Sequence, residues 1–179
     1  MEIQPNTLES LIAKQDIQEA LVRYARGVDR ADGELLKSAY HSDAIEEHGN
    51  TYTGLAHAYV DGAIERLSKL KHPMGHYLCN MHIDLDLDAG LAFVETYALT
   101  FARFDNKAGE PNDTLTGARI VDRFECRNGA WKIAHRKIAF DWNHDVPSNE
   151  TWCLGMFKPD APGMNMGQRG TGDLSYQRF

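Results

Sequence analysis

Basic residues are the scarcer charge in this chain. Lys and Arg number 19 against 26 Asp and Glu in 179 residues, a formal net charge of −7. That balance argues against general affinity for phosphate backbones, which rests on clustered cations. Long apolar runs are missing too: nothing approaches the roughly 18 consecutive residues of a membrane span. The N-terminus, MEIQPNTLESLIAKQD, has neither a basic leader nor a continuous apolar core, so no secretory signal is expected. Cysteine is sparse and odd in number. Cys79, Cys126 and Cys153 are widely spaced and read as reduced thiols of a cytoplasmic protein, not as a disulfide framework.

Several chemistries lack their signatures. There is no His-Glu-x-x-His and no zinc-type cysteine–histidine spacing, despite eight histidines. Pro73 separates His72 from His76, which breaks a helical ligand pair. His76 and His82 would stand roughly 20 Å apart along a regular strand, too far to share an ion. His41, Asp43 and His48 are the remaining metal candidates. A Gly-x-Ser-x-Gly elbow is absent. Cys79 should share a strand face with Tyr77 and Met81, which favours burial over reactivity. The glycines of Gly167-Gln-Arg-Gly170-Thr-Gly172 neither follow a strand nor open a helix, so they make a poor dinucleotide loop. Neither a metal nor a cofactor is expected.

What the chain does have is a change of periodicity. Leu8, Leu11, Ile12, Ile17, Ala20, Leu21, Tyr24, Ala25 and Val28 recur at helical spacing and predict one amphipathic helix from about residue 8 to 30. Asp32 can N-cap a shorter helix ending near His41. Asp43 to Gly49 should be extended. Gly54 to Leu70 predicts a third helix, stopped by Pro73. Alternation then takes over: Ile83, Leu85 and Leu87 oppose Asp84, Asp86 and Asp88. Ala89-Gly90 is a turn, and Leu91 to Phe104 a partner strand rich in aromatic and β-branched residues. Asp105 to Asp113 should be a polar loop. Thr116 to Arg127 and Trp131 to Trp142 pair across Asn128-Gly129, whose residues tolerate positive φ. Helices followed by a meander of strands predict an α+β domain, residues 1–142, with helices covering one face of a strongly curved sheet. From Asn143 to Phe179, prolines and glycines argue against regular structure. Trp152, Met156 and Phe157 are too apolar for a free tail, so an arm packed on its own domain or a neighbouring subunit is expected.

The richest chemistry lies in two distant residues. Asp29 closes the run IQEALVRYARGVDR, and His76 opens GHYLCNMHIDLDL. A carboxylate that orients an imidazole is the smallest kit for cofactor-free proton abstraction. Taken singly, each has an ordinary reading: Asp29 as a solvated helix-end residue, Tyr24 as a core residue with a satisfied hydroxyl. On a regular strand His76 shares a face with Leu78, Asn80 and His82, which suits a polar-lined pocket. Arg136 alternates with Ile138, Phe140 and Trp142. If that face is internal, the guanidinium needs a partner or an anion.

IQEALVRYARGVDRADGELLKSAYHSDA, GHYLCNMHIDLD and GAWKIAHRKIAFDW together resemble the SnoaL-like branch of the nuclear-transport-factor-2-like superfamily, over approximately residues 8 to 142. The resemblance implies a cone, with a curved mixed sheet wrapped around the long first helix and a deep pocket at its open end. Similar enzymes include scytalone dehydratase, hexachlorocyclohexane dehydrochlorinase, bile-acid 7α-dehydratase and polyketide cyclases. By that likeness Asp29 and His76 form the proton-abstracting dyad and Tyr24 adds a polar group from the first helix. Arg136 matches the last-strand arginine of the dehydrochlorinase, whereas His82 has no counterpart. The expected activity is a cofactor-independent, dehydratase-type lyase acting on a mostly apolar cyclic or aromatic small molecule. Asn80, His82, Arg136 and Trp142 are the expected substrate contacts. The alternatives are an isomerase or cyclase, an aryl-propanoid deformylating lyase, or a non-catalytic small subunit of a ring-hydroxylating dioxygenase. A homo-oligomer, trimer or dimer, is expected, with no nucleic-acid or membrane partner.

Overall fold

The computed structural model describes residues 6–179, so the first residues of the N-terminal stretch weighed above lie outside the described residues. Helix α1 spans Leu8–Arg30. It begins at a reciprocal capping box: the Thr7 hydroxyl accepts from the Ser10 amide, and the Ser10 hydroxyl accepts from the Thr7 amide. It ends where Ala31 turns left-handed at φ 52°. Its apolar stripe (Ala13, Ile17, Ala20, Leu21, Tyr24, Val28) is buried in the core. Asp32 caps α2, Gly33–Ser38, by accepting from the Leu35 amide. The two helices meet at Gly27, where a Cβ would lie only 2.7 Å from Leu36 Cβ.

Strand β1 covers Tyr40–His48 and β2 Tyr52–Leu55, and α3 follows at Ala56–Leu67. The long strands are β3, Met74–Asp86, β4, Leu91–Asp105, β5, Pro111–Arg127, and β6, Ala130–Pro147. They form one six-stranded sheet in the order β2-β1-β6-β5-β4-β3. Only β1 and β6 run parallel. The mixed sheet curves around α1, and the core lies between them, as the α+β expectation required. Asn128 and Gly129 both take positive φ, 54° and 76°, in the tight hairpin between β5 and β6.

Several boundaries move. The second helix stops at Ser38, not near His41, and β1 begins directly after it. Gly54 and Leu55 close β2 and do not open α3. The expected loop from Asp105 to Asp113 shrinks because β5 starts at Pro111. Regular structure does not end at Trp142: Asn143 to Pro147 continue β6, paired with Thr116 to Asn112. A long partner strand satisfies their backbone groups, and local composition cannot report that.

Beyond Pro147 the chain becomes an arm, with a left-handed turn at Trp152–Leu154 and short 3₁₀ turns at Gly170–Gly172 and Leu174–Tyr176. The arm docks on its own domain. Tyr176 donates to Asp32 at 2.7 Å, Arg30 meets Asp173 at 3.2 Å, and the Arg26 guanidinium lies 4.7 Å over the Tyr176 ring. No described helix is long and apolar enough to cross a membrane.

Candidate functional site

Asp29 sits on the last turn of α1, and the packing of that helix against β3 brings it to the first residues of the strand. Its carboxylate grips His76 twice. Oδ1 accepts from the ring Nδ1 at 2.7 Å, and Oδ2 accepts from the His76 backbone amide at 3.1 Å. Because a carboxylate oxygen accepts, the proton of this bond sits on Nδ1, and in the neutral imidazole Nε2 keeps the lone pair. Each side chain is 15% exposed, sheltered from bulk water yet reachable.

Tyr24 lies deeper, 2% exposed, with its ring edge-on to His76 at 6.4 Å between centroids. Burial pushes its phenol up to about 12 while the Arg136 charge pulls the other way, so the hydroxyl stays protonated. The Arg136 guanidinium stands 3.9 Å over the Tyr24 ring. Arg136 points inward and is fully buried. Its partner is Asp122, met by Nε and Nη2 at 2.7 Å each. Burial opposes the arginine's charge, but Asp122 and the neighbouring tyrosines hold it well above its ordinary value. Burial likewise raises the Asp122 carboxyl, and Arg136 opposes that shift.

This network extends to His48, expected only as a metal candidate. Tyr40 donates to Glu46 Oε2 at 2.8 Å, and Glu46 Oε1 lies 3.1 Å from His48 Nδ1. His48 stacks on Tyr59 at 5.0 Å and meets Phe140 edge-on at 5.9 Å. Glu46-x-His48 spacing puts both on one strand face, a signal that could have been read. His41, Asp43 and His48 do not converge: they bond to Glu125, Arg127 and Glu46 respectively. No cluster suited to a metal occurs among the described residues.

Three expected contacts lie elsewhere. A bulge between Leu78 and Met81 breaks the β3–β4 register. Leu78 and Met81 therefore both pack on the core, while Cys79, Asn80 and His82 are exposed on the outer side. Cys79 is accordingly not buried. A second irregularity occurs in β6: Phe140 pairs with Ala118, but Trp142 pairs with Gly117. Adjacent residues of β5 face opposite ways, so Phe140 points inward and Trp142 outward. A Cβ at Gly117 would collide with the Trp142 indole, which fixes that ring on the outer surface.

What converges is a sheltered imidazole held by a carboxylate, a protonated phenol, and a buried arginine paired with Asp122. Proteins of similar fold include LinA, with TM-score 0.68 and 21% identity over 79% of this chain and 92% of that one. A scytalone dehydratase candidate from Novosphingobium aromaticivorans gives 0.66 and 16%, covering 78% and 91%. A type-3 hexachlorocyclohexane dehydrochlorinase from Novosphingobium barchaimii gives 0.65 and 20%, covering 78% and 93%. No curated protein matches the sequence. Residues 9–137, most of the chain and all of the cone up to the middle of β6, match the SnoaL-like domain, and the protein belongs to that family.

Proposed function

We propose that the protein is a cofactor-independent lyase that carries out a dehydratase-type elimination on a mostly apolar cyclic or aromatic small molecule. The observation that carries this reading is the two-point grip of Asp29 on His76, at 2.7 and 3.1 Å. It fixes ring, tautomer and backbone together, which is what a positioned general base needs.

In this mechanism His76 Nε2 takes a proton from carbon and Asp29 stabilises the resulting imidazolium. The C–H electron pair becomes the new double bond as the adjacent C–O bond breaks. The departing oxygen recovers a proton from His76 and leaves as water. Tyr24, held neutral, offers a hydrogen bond to a carbonyl or leaving oxygen. Arg136, already clamped by Asp122, contributes field more than direct contact.

The test is incubation with a panel of cyclic and aryl β-hydroxy compounds in deuterated water, read by mass spectrometry. Loss of water with wild-type protein, abolished in folded His76→Ala, is the expected result. Deuterium uptake without loss of mass would instead assign isomerisation to the same dyad. A folded His76→Ala that turns over substrate at the wild-type rate would end the proposal.

A further inference from the structure

The arm docks on the end of α1 that carries Asp29, and it brings an arginine, Arg169, that the proposed elimination does not use. Arg169 immediately precedes Gly170, whose φ of 71° turns the chain back into the Asp173 knot. Its side chain reaches across to the turn that follows α3, where Nη1 donates to the Leu70 carbonyl at 3.1 Å. Leu70 leads into the Pro73 turn and the start of β3, a few residues from His76.

That single bond leaves the chemically distinctive edge of the guanidinium unused. Nε and Nη2 are shut off from solvent and find no hydrogen-bond partner among the described residues. This edge is the one that grips a carboxylate with two parallel bonds, and Arg136 uses it on Asp122 at 2.7 Å twice. Arg103, also mostly buried, is engaged by both Asp113 and Glu150. Burial pulls the Arg169 guanidinium down from its ordinary value, and Asp29 is the charge that opposes this shift. Yet Asp29 holds His76 with both oxygens and makes no hydrogen bond to Arg169. A sheltered cation without an anion is costly, and the cost falls when a negative ligand arrives. A tie to the Leu70 carbonyl alone would need one N–H and no fork.

We infer that Arg169 is a substrate-binding residue whose Nε/Nη2 edge takes a carboxylate group of the substrate beside the Asp29–His76 dyad. This rests on the dyad being the reaction centre, and it narrows the substrate class to aryl or alicyclic carboxylates. With a net charge of −7, the molecule as a whole repels anions, so a local cation is needed to bring one in.

Phenylacetate and its neutral isostere phenylacetamide test the fork. Binding is followed through the His76 ring signals by NMR, which localises it to the dyad, and by calorimetry for His76→Ala. Wild type should prefer phenylacetate by about tenfold to a hundredfold, the range of one or two charge-assisted hydrogen bonds. Arg169→Met should erase the preference, and Arg169→Lys, which keeps the charge without the fork, should retain only part of it. Neither substitution removes a partner of the Asp173 and Tyr176 contacts that dock the arm, and thermal melts check that each variant is folded. His76→Ala should keep the preference, so failure of the dyad chemistry and failure of the anchor are distinguishable. Equal affinities in wild type, no phenylacetate binding at the His76 signals, or a preference that survives in Arg169→Met would overturn the inference.

Discussion

The two oxygens of Asp29 act on different parts of His76, and the distinction can be tested. Oδ2 holds the backbone amide and Oδ1 the ring nitrogen. Asparagine keeps the shape but can present an N–H to the ring, which turns the imidazole to the wrong tautomer with its proton on Nε2. Asp29→Asn should therefore fold normally yet lose about 10²–10⁴-fold in kcat. Activity within about threefold of wild type would mean that the carboxylate does not set the tautomer. Tyr24 makes a different kind of prediction. Its phenol is pushed up to about 12, chiefly by burial, so it is neutral at all lower pH values. The pH–rate profile between about 5 and 10 should then show no limb that disappears in Tyr24→Phe. Deeper still, Asp122 and Arg136 are each fully buried and satisfied mainly by one another. Asp122→Asn strands a buried guanidinium and should lower stability by about 3–5 kcal/mol in chemical denaturation. A loss below about 1 kcal/mol would show that Glu46 and Tyr40 carry the charge instead.

At the scale of elements, the arm is held by one carboxylate. Asp173 accepts from the Ser175 side chain and from the amides of Gln168 and Ser175, and it faces Arg30. These bonds, the Ser175 hydroxyl first, hold its carboxyl well below the usual range. A depressed carboxyl contributes stability that is present above its unfolded value near 4 and is lost as pH falls through its folded value. Limited proteolysis should thus find the arm protected at neutral pH and released in strong acid, before the cone unfolds. Asp173→Asn should release it at neutral pH, and an arm equally protected in that variant would refute the prediction. Elements differ in how far their sequence announces them. The α1 stripe and the Asn128-Gly129 turn depend on local chemistry and were legible. Bulges depend on what the neighbouring strand does. Counting from that turn, a regular ladder sets Arg136 opposite Val121, whereas the irregularity after Phe124 sets it opposite Asp122. The same effect moved Asn80, His82 and Trp142 to the outer face, since one extra residue inverts every later side chain. Asp29 and His76 still meet because Asp29 lies on an uninterrupted helix and His76 precedes the bulge of β3.

At the scale of the whole molecule, the inside of the cone is closed by α1, while the other side of the sheet has no covering element among the described residues. Tyr77, Leu99, Gly117 and Trp142 align across β3, β4, β5 and β6, next to a row made by Phe101, Leu115 and His144. Tyr77 is 59% exposed and Trp142 48%. Nearer the other end of the sheet, charge interrupts the surface: Arg119 links Glu95 and Asp141. The apolar row therefore sits towards the end of the sheet where the dyad lies. Exposed apolar side chains gathered in neighbouring rows are uncommon on a monomer and mark surfaces that become buried. We expect a second copy of this chain to cover them, since a homo-oligomer buries the same belt on each protomer by symmetry. About 800 Å² per partner is enough for a stable contact. Sedimentation at micromolar concentration should give a dimer or trimer of the 20.1 kDa chain, and Trp142→Asp should shift it towards monomer with the fold intact. If wild type sediments as a monomer, the aromatic row has another occupant. The outer face and the dyad would then be independent features of one sheet.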